Sequence, residues 1–426
     1  MHVENPKSHL LDNIAYPRDD GIGVLKTAGI YGANASGKSN ILQGLSALRW
    51  LITSSDSLRE HKKIVCYEPY LLAGHTRNAP ISFEVEFIIS GKHRYIYAIS
   101  YDSTEIISES LDFYPSRQKA NIFNRPAGST WDTITFGSYY KGGVKKIPHF
   151  KNNSYLAVAG NNAAAPDIIR DVHKYFSRII KFGLSRSFPV SSIYHNERVL
   201  NMSTDFIKSL DTGVTAISKE ENHTPESLKA LSPFPKHIRE QILEDHKYKF
   251  LFRHKDEDGG YVNFEQEKES DGTQQLFRLF PAIISSLRLG GILIIDELES
   301  SFHPHIAELV IDLYNNPDIN IYNAQLLFTT HNLQLMSPKV FRRDQIWFAS
   351  KTNGASKLFS LDEFDKGTVT TSSPYGNWYG EGRFGAIPEI NKSQIFSMIS
   401  RMMGVEEPST GDEEFILNEE EGLHNA

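Results

Sequence analysis

The chain of 426 residues holds one cysteine, Cys66. No disulfide can form within it, which excludes a disulfide-framed secreted fold and suits a reducing cytoplasm. No apolar run approaches the ~18 residues of a membrane span, and Met1-His2-Val3-Glu4-Asn5-Pro6 lacks the apolar core of a signal peptide. A cytoplasmic protein with no membrane segment is expected. Internal repeats are missing, as is a sustained heptad pattern over residues 165–245. Residues 404–426 contain no Lys or Arg but hold Glu406, Glu407, Asp412, Glu413, Glu414, Glu419, Glu420 and Glu421. The net charge of −7 thus belongs to this tail and leaves the body at about +1 by subtraction. A near-neutral body neither requires nor excludes nucleic acid, and the tail is most simply a solvated, disordered end.

What is present is organised around Gly32-Ala33-Asn34-Ala35-Ser36-Gly37-Lys38-Ser39, which fits G-x-x-x-x-G-K-[ST]. Val24-Leu25 and Ala28 to Tyr31 supply the apolar strand before it. Ile41, Leu42, Leu45, Leu48 and Leu51 recur at helical spacing after it. Gly32 and Gly37 let backbone N–H groups close on a phosphate without a Cβ in the way. The helix beginning near Lys38 turns its positive dipole end to the same anion. Lys38 can reach the β- and γ-phosphates, and the Ser39 hydroxyl can ligate Mg²⁺.

Further along, Gly291-Ile292-Leu293-Ile294-Ile295-Asp296-Glu297 reads as a fully buried strand ending in two acids. Asp296 is placed to hold Mg²⁺ and Glu297 to orient and polarise a water as general base. Another buried strand, Gln325 to Thr330, ends in His331-Asn332. Between them, Glu269-Ser270-Asp271-Gly272-Thr273 is a Ser and Gly turn opening a helix, which presents N–H groups and a hydroxyl outward. His303-Pro304-His305 is better explained by Pro304 in the first turn of a helix than by a metal pair.

The rest of the chain is read by periodicity. Ile81 to Phe87, Tyr95 to Tyr101 and Ile106 to Phe113 alternate as an antiparallel meander beside the P-loop. Ile168, Ile169, Val172, Phe176, Ile179 and Ile180 predict a helix, and residues 202–247 also read as helical. The expected organisation is a P-loop half with a β lobe (1–164), a helical insertion (165–250), a half with the signature turn, acidic strand and histidine (251–403), and the acidic tail (404–426). Lys141, Lys145, Lys146, Lys151, Arg186 and Arg198 are basic, but no regular aromatic interleaving accompanies them, and a solvated face is expected.

Together these residues resemble the ABC-type "AAA family ATPase / ATP-binding protein" group of bacterial abortive-infection, anti-phage systems, related to the ATPase half of overcoming-lysogenization-defect nucleases. The resemblance runs from Tyr31 to Asn40, through Glu269 to Thr273, Ile295 to Ser301 and Phe328 to His331, to Arg343 to Phe348 and the late Gly382-Arg383-Phe384-Gly385-Ala386-Ile387-Pro388. It implies an α/β fold of P-loop NTPase, ABC-ATPase type, with an antiparallel β lobe and a helical insertion. It implies ATP and Mg²⁺ as cofactors, with Gly32, Asn34, Ala35, Ser36, Gly37, Lys38, Ser39 and Asn40 around the phosphates. It implies His331 at the γ-phosphate, and Ser270 with Gly272 completing the site of a partner subunit. A homodimer or higher homo-oligomer through an ATP sandwich follows, with Leu298 to His303 at its seam.

The chain departs from the pattern at three places. About twenty residues precede the P-loop strand, so the leading edge strand is expected to be shortened or lost. Asp271 replaces the first Gly of the ABC signature, and Asn161 or Asn162 stands where a coupling glutamine is sought. Asp362, Glu363 and Asp365 lie too close together to build a second catalytic centre. The first functional reading is an ATP-hydrolysing sensor of an anti-phage system that controls a separately encoded toxin or nuclease effector, with nucleic acid as a possible further partner. The alternative is an SMC-like DNA-repair ATPase acting on nucleic acid directly, against which the missing heptads count. A third, an ATP-binding scaffold with negligible turnover, is opposed by Glu297.

Overall fold

The computed structural model of the chain describes residues 1–3, 9–18, 21–89, 91, 93–182, 193–222, 243, 247–300, 303–388 and 390–403. In chain order its strands are β1 (Ile14–Ala15), β2 (Val24–Leu25), β3 (Thr27–Tyr31), β4 (Ile81–Ile88), β5 (Arg94–Tyr101), β6 (Ile106–Tyr114), β7 (Ala120–Arg125), β8 (Thr135–Phe136), β9 (Ile179–Phe182), β10 (Val214–Glu221), β11 (Tyr248–Lys255), β12 (Tyr261–Glu265), β13 (Ile292–Ile295), β14 (Gln325–Thr329), β15 (Ile346–Thr352) and β16 (Ala355–Ser360). The helices are α1 (Lys38–Ser54), α2 (Tyr155–Gly160), α3 (Asp167–Ser177), α4 (Glu197–Lys208), α5 (Asp271–Leu289), α6 (Pro304–Asn315), α7 (Tyr375–Gly380) and α8 (Lys392–Met403). Among the described residues no helix is long and apolar enough to cross a membrane.

A six-stranded sheet in the order β16-β15-β3-β14-β13-β9 carries the site. All its neighbours pair in parallel except β15 with β16. All five residues of β3 are buried, as expected of an inner parallel strand covered on both faces. The histidine strand β14 lies between β3 and the acidic strand β13. In a parallel sheet all these strands end at the same edge, where α/β ligands bind. Gln345 sets the neighbour on the other side: its amide donates to Thr27 O at 3.0 Å while its carbonyl oxygen accepts from Asn13 at 2.8 Å.

The α1 helix buries Leu42, Leu48, Leu51 and Ile52 and packs with α2, α3 and the aromatic face of the second sheet, β4 to β8. The meander expected from alternation is present as β4, β5 and β6, and it is longer than expected by β7 and β8. A buried polar group ties this lobe to α2. Glu109 accepts from Tyr97 Oη at 2.9 Å and from the N–H groups of Tyr155 and Leu156, and Arg125 lies 3.8 Å away. Burial pushes the Glu109 carboxyl up, and Arg125 and the N–H donors oppose that.

Two helical expectations are corrected. The helix starting at Asp167 stops at Ser177, and Ile179 and Ile180 belong to β9, the edge of the central sheet, parallel to β13. A short apolar run fits either period, and pairing with Ile292 and Leu293 decides it. Within 202–247, the helix ends at Lys208 and Val214–Glu221 forms β10, paired with β11. Gly213, at φ +75°, breaks the helical path, and the β-branched pair Val214-Thr215 follows it. Residues 223–242 and 244–246 of that expected insertion lie outside the described residues, as do Arg186 and the tail 404–426.

The sheet β10-β11-β12 packs Phe250 and Phe252 with Tyr194, Leu200 and Phe277 of α5. Another face of α5, Leu279, Ala282, Ile283 and Leu287, enters the core beneath β13 and β14. One helix thus joins the small sheet to the large one. The chain divides into two compact units, Met1–Ala386 and Ile387–Ala426. The described part of the second contains α8, which exposes Phe396, Met402 and Met403.

Candidate functional site

Gly32-Ala33-Asn34-Ala35-Ser36-Gly37 joins β3 to α1. Its backbone turns at Gly32, Ala35 and Gly37, with φ of 155°, 60° and 100°. Both glycines are required for a second reason. A Cβ on Gly32 would stand 2.4 Å from Ala349 O of β15, and one on Gly37 2.3 Å from Ser356 Oγ of β16. The hairpin β15-β16 therefore covers one side of the loop. Ala33 N–H donates to Ala386 O at 2.9 Å, and Tyr379 Oη donates to the same oxygen at 2.9 Å. The late Gly382 to Ala386 segment is thus tied directly to the P-loop. Phe348 of β15 stacks on Tyr379, with ring centroids 5.3 Å apart, and holds that closure in place.

Lys38 is buried, and its ammonium donates to Gly32 O at 2.8 Å and Ala33 O at 3.1 Å. Burial lowers its pKa, while Glu297, Asp296 and Glu299, in that order, oppose the shift. The three carboxylates therefore act on the charge of the lysine, although they follow a strand two places away in the sheet. Asn34, Ala35 and Asn40 are exposed, Ser39 is half-buried, and the buried Ser36 hydroxyl has no partner among the described residues.

Thr329, at the end of β14, organises the acidic pair. Its hydroxyl donates to Asp296 Oδ1 at 2.6 Å and accepts from Glu297 N at 2.8 Å. Glu297 sits at φ +55° with its side chain exposed. That left-handed backbone costs a non-glycine residue about 1–3 kcal/mol, and the Thr329 bond holds it. Glu299 accepts the backbone N–H of His331, while its other oxygen is buried without a partner among the described residues. His331 itself is exposed. The sequence reading held Thr329 and Glu299 only within longer segments and gave neither of them this role, because nothing in their spacing shows that β14 lies against β13.

Ser270 caps α5, its hydroxyl accepting from Thr273 N at 3.1 Å, and Gly272 lies in the first turn of that helix. Glu269 just before it pairs with His254 at 2.7 Å. Asn161 ends α2 and donates to Asp56 at 2.6 Å, at the opposite end of α1 from Lys38. That position does not suit a residue coupling to the P-loop. Asp362 pairs with Arg343 and Lys366, and Asp365 accepts from Thr368, so these acids serve their own turns. His303 caps α6, with Pro304 at its first position.

The arrangement fits a nucleoside triphosphate. A glycine cradle that a Cβ would fill leads into an ammonium, a hydroxyl at Ser39 and the start of a helix. Asp296 with Ser39 would hold a magnesium ion beside the phosphates, and that ion would supply charge neutralisation.

No curated protein matches the sequence. Among solved structures, the SMC head domain from Thermotoga maritima is similar at 13% identity and a TM-score of 0.36, over 82% of this chain and 96% of that one. An SmcHead bound to the C-winged helix domain of ScpA is similar at 13% identity and a TM-score of 0.34, over 80% of this chain and 91% of that one. The family described as "AAA domain, putative AbiEii toxin, Type IV TA system" matches residues 28–337, from the P-loop strand past the histidine strand. The chain belongs to this family of AAA-domain ATPases.

Proposed function

We propose that the chain is a Mg²⁺-dependent ATPase that dimerises around ATP and serves as the sensor of an anti-phage system, controlling a separately encoded effector. The observation that carries the catalytic part is that β3, β14 and β13 lie side by side in parallel, so that the P-loop and the Asp296–Glu297 pair held by Thr329 leave the same edge of the sheet. Three carboxylates against one ammonium leave the crevice acidic, so a polyphosphate enters favourably only with a divalent cation. Lys38 bonds to two carbonyls of its own loop, and phosphate oxygens are the stronger acceptors for it. Glu297 holds and polarises the attacking water, and exposed His331 meets the terminal phosphate. Ser270 and Gly272, at the start of a 19-residue helix, offer N–H groups to the nucleotide of a second copy. The family description, which names a toxin–antitoxin system, supports a regulatory partner.

The test is ATP turnover and light scattering on purified protein, with Glu297→Gln. The variant is expected to bind ATP, turn over slowly and accumulate as a dimer. An ATP-loaded variant that stays monomeric at every concentration would sink the sandwich. Cleavage of DNA or RNA by the chain alone would overturn the separate effector. Tight, salt-resistant, ATP-dependent DNA binding without cleavage would favour the repair-type ATPase.

A further inference from the structure

At the far end of α1 from Lys38 the chain forms a cleft of about 990 Å³. One wall is Asn152, which is 3% exposed. Its amide donates to Arg59 O and Lys62 O, both at 2.9 Å, and so uses both its protons. Its Oδ1 is buried with no partner among the described residues. His149, in the same lining, bonds through Nδ1 to Ile147 O at 2.7 Å. A carbonyl accepts, so Nδ1 carries the proton and Nε2 of the neutral ring is an acceptor, also buried without a partner. Both residues line the cleft, and each carries a buried acceptor that an N–H or O–H donor would satisfy.

The charge of the lining narrows the ligand. Asp56, Glu60 and Glu105 face it with one ammonium, Lys151, which lies 3.6 Å from Glu105, and with the His61 imidazole, 3.8 Å from Glu60. Phe150 and Trp131 expose ring surface in the same lining, at 44% and 36%. Aromatic faces and surplus carboxylates favour a cation, and the bare acceptors favour one with several N–H groups.

We infer that this cleft binds a guanidinium- or ammonium-bearing ligand through the Asn152 and His149 acceptors, the Asp56, Glu60 and Glu105 carboxylates and the Trp131 ring. The ligand is a free diamine-like cation or an arginine presented by a protein, and the chemistry of recognition is shared. The site lies ~25 Å along α1 from the P-loop, at 1.5 Å per residue, and stands independently of ATP hydrolysis.

Calorimetry on the full chain without nucleotide tests it, with agmatine and the tripeptide Gly-Arg-Gly as probes and benzyl alcohol as an uncharged aromatic control. Saturable binding of agmatine, of the peptide or of both is expected. Agmatine alone identifies a small cation, and the peptide alone identifies a protein side chain. Trp131→Ala and Glu60→Gln, both at exposed positions, should each weaken binding by up to about ten-fold with thermal unfolding unchanged. The inference is overturned if neither cation binds saturably, if both variants bind like the parent chain, or if benzyl alcohol binds as tightly as agmatine.

Discussion

Glu299, two residues after Glu297, accepts the backbone N–H of His331. The loops after β13 and β14 are thereby joined through one carboxylate whose second oxygen stays buried and unpartnered among the described residues. The same carboxylate raises the pKa of Tyr31, after burial, and supports the charge on Lys38. A side chain at that junction positions the histidine loop without needing to touch a ligand.

Glu299→Ala is therefore expected to lower kcat by roughly ten-fold, the cost of one charge-assisted hydrogen bond, with KM for ATP little changed. Glu299→Gln keeps an acceptor for the His331 N–H and should recover most of the loss. Steady-state kinetics decide: equal defects in the two variants would mean that charge, not the hydrogen bond, is what matters.

Lys38→Ala should weaken ATP binding by about 30-fold or more, since it removes the buried charge proposed to bond phosphate. Glu297→Gln should leave binding intact and slow hydrolysis by roughly 100-fold or more. Equilibrium binding of a fluorescent ATP analogue and phosphate release measure the two effects separately. A Glu297→Gln protein with full turnover would remove that residue from the mechanism.

Removal of divalent cation by EDTA should cost ATP affinity, because Asp296, Glu297 and Glu299 then face the phosphates unneutralised. Glu299→Gln removes one of the three charges and should recover part of the affinity in EDTA. Identical binding with and without Mg²⁺ would contradict the acidic crevice as described.

Gly37→Ala combines a left-handed backbone with a Cβ 2.3 Å from Ser356 Oγ. A loss of about 1–3 kcal/mol of stability is expected. Adding Ser356→Gly removes the clash but not the backbone strain, so urea unfolding should show partial recovery. Full recovery would assign the whole cost to the Ser356 contact.

Burial holds the His149 imidazole down at about 4, and it lowers His173 in the same direction. Below about pH 6.5 the unfolded chain binds more protons at these rings than the folded chain does. Stability is therefore full above pH 6.5 and falls as the pH drops toward 4, by about 2 kcal/mol for His149 between pH 7 and 5. Urea midpoints at the two pH values should show this slope, and His149→Gln should flatten it. An unchanged slope in the variant would place the titration elsewhere.

The sequence by itself determined the local pieces. Gly32 to Ser39 read as a loop between a buried strand and a helix, and both are present, because its glycines and the periodicity of Ile41 to Leu51 are local. Alternation over Ile81 to Phe113 declared an antiparallel lobe for the same reason, and Pro304 marked the start of α6. Tertiary structure decided everything that depends on which strand lies beside which. Ile179 and Ile180 joined the central sheet instead of continuing a helix because Ile292 and Leu293 offered them a parallel partner. The insertion of β14 between β3 and β13 turned Thr329 into the residue that holds Asp296 and Glu297. It also brought His331 to Glu299, 32 positions apart in the chain. Ala386 closed on Ala33 from the other end of the unit through backbone atoms alone. A backbone hydrogen bond leaves no trace in residue type, so only the folded chain could reveal it.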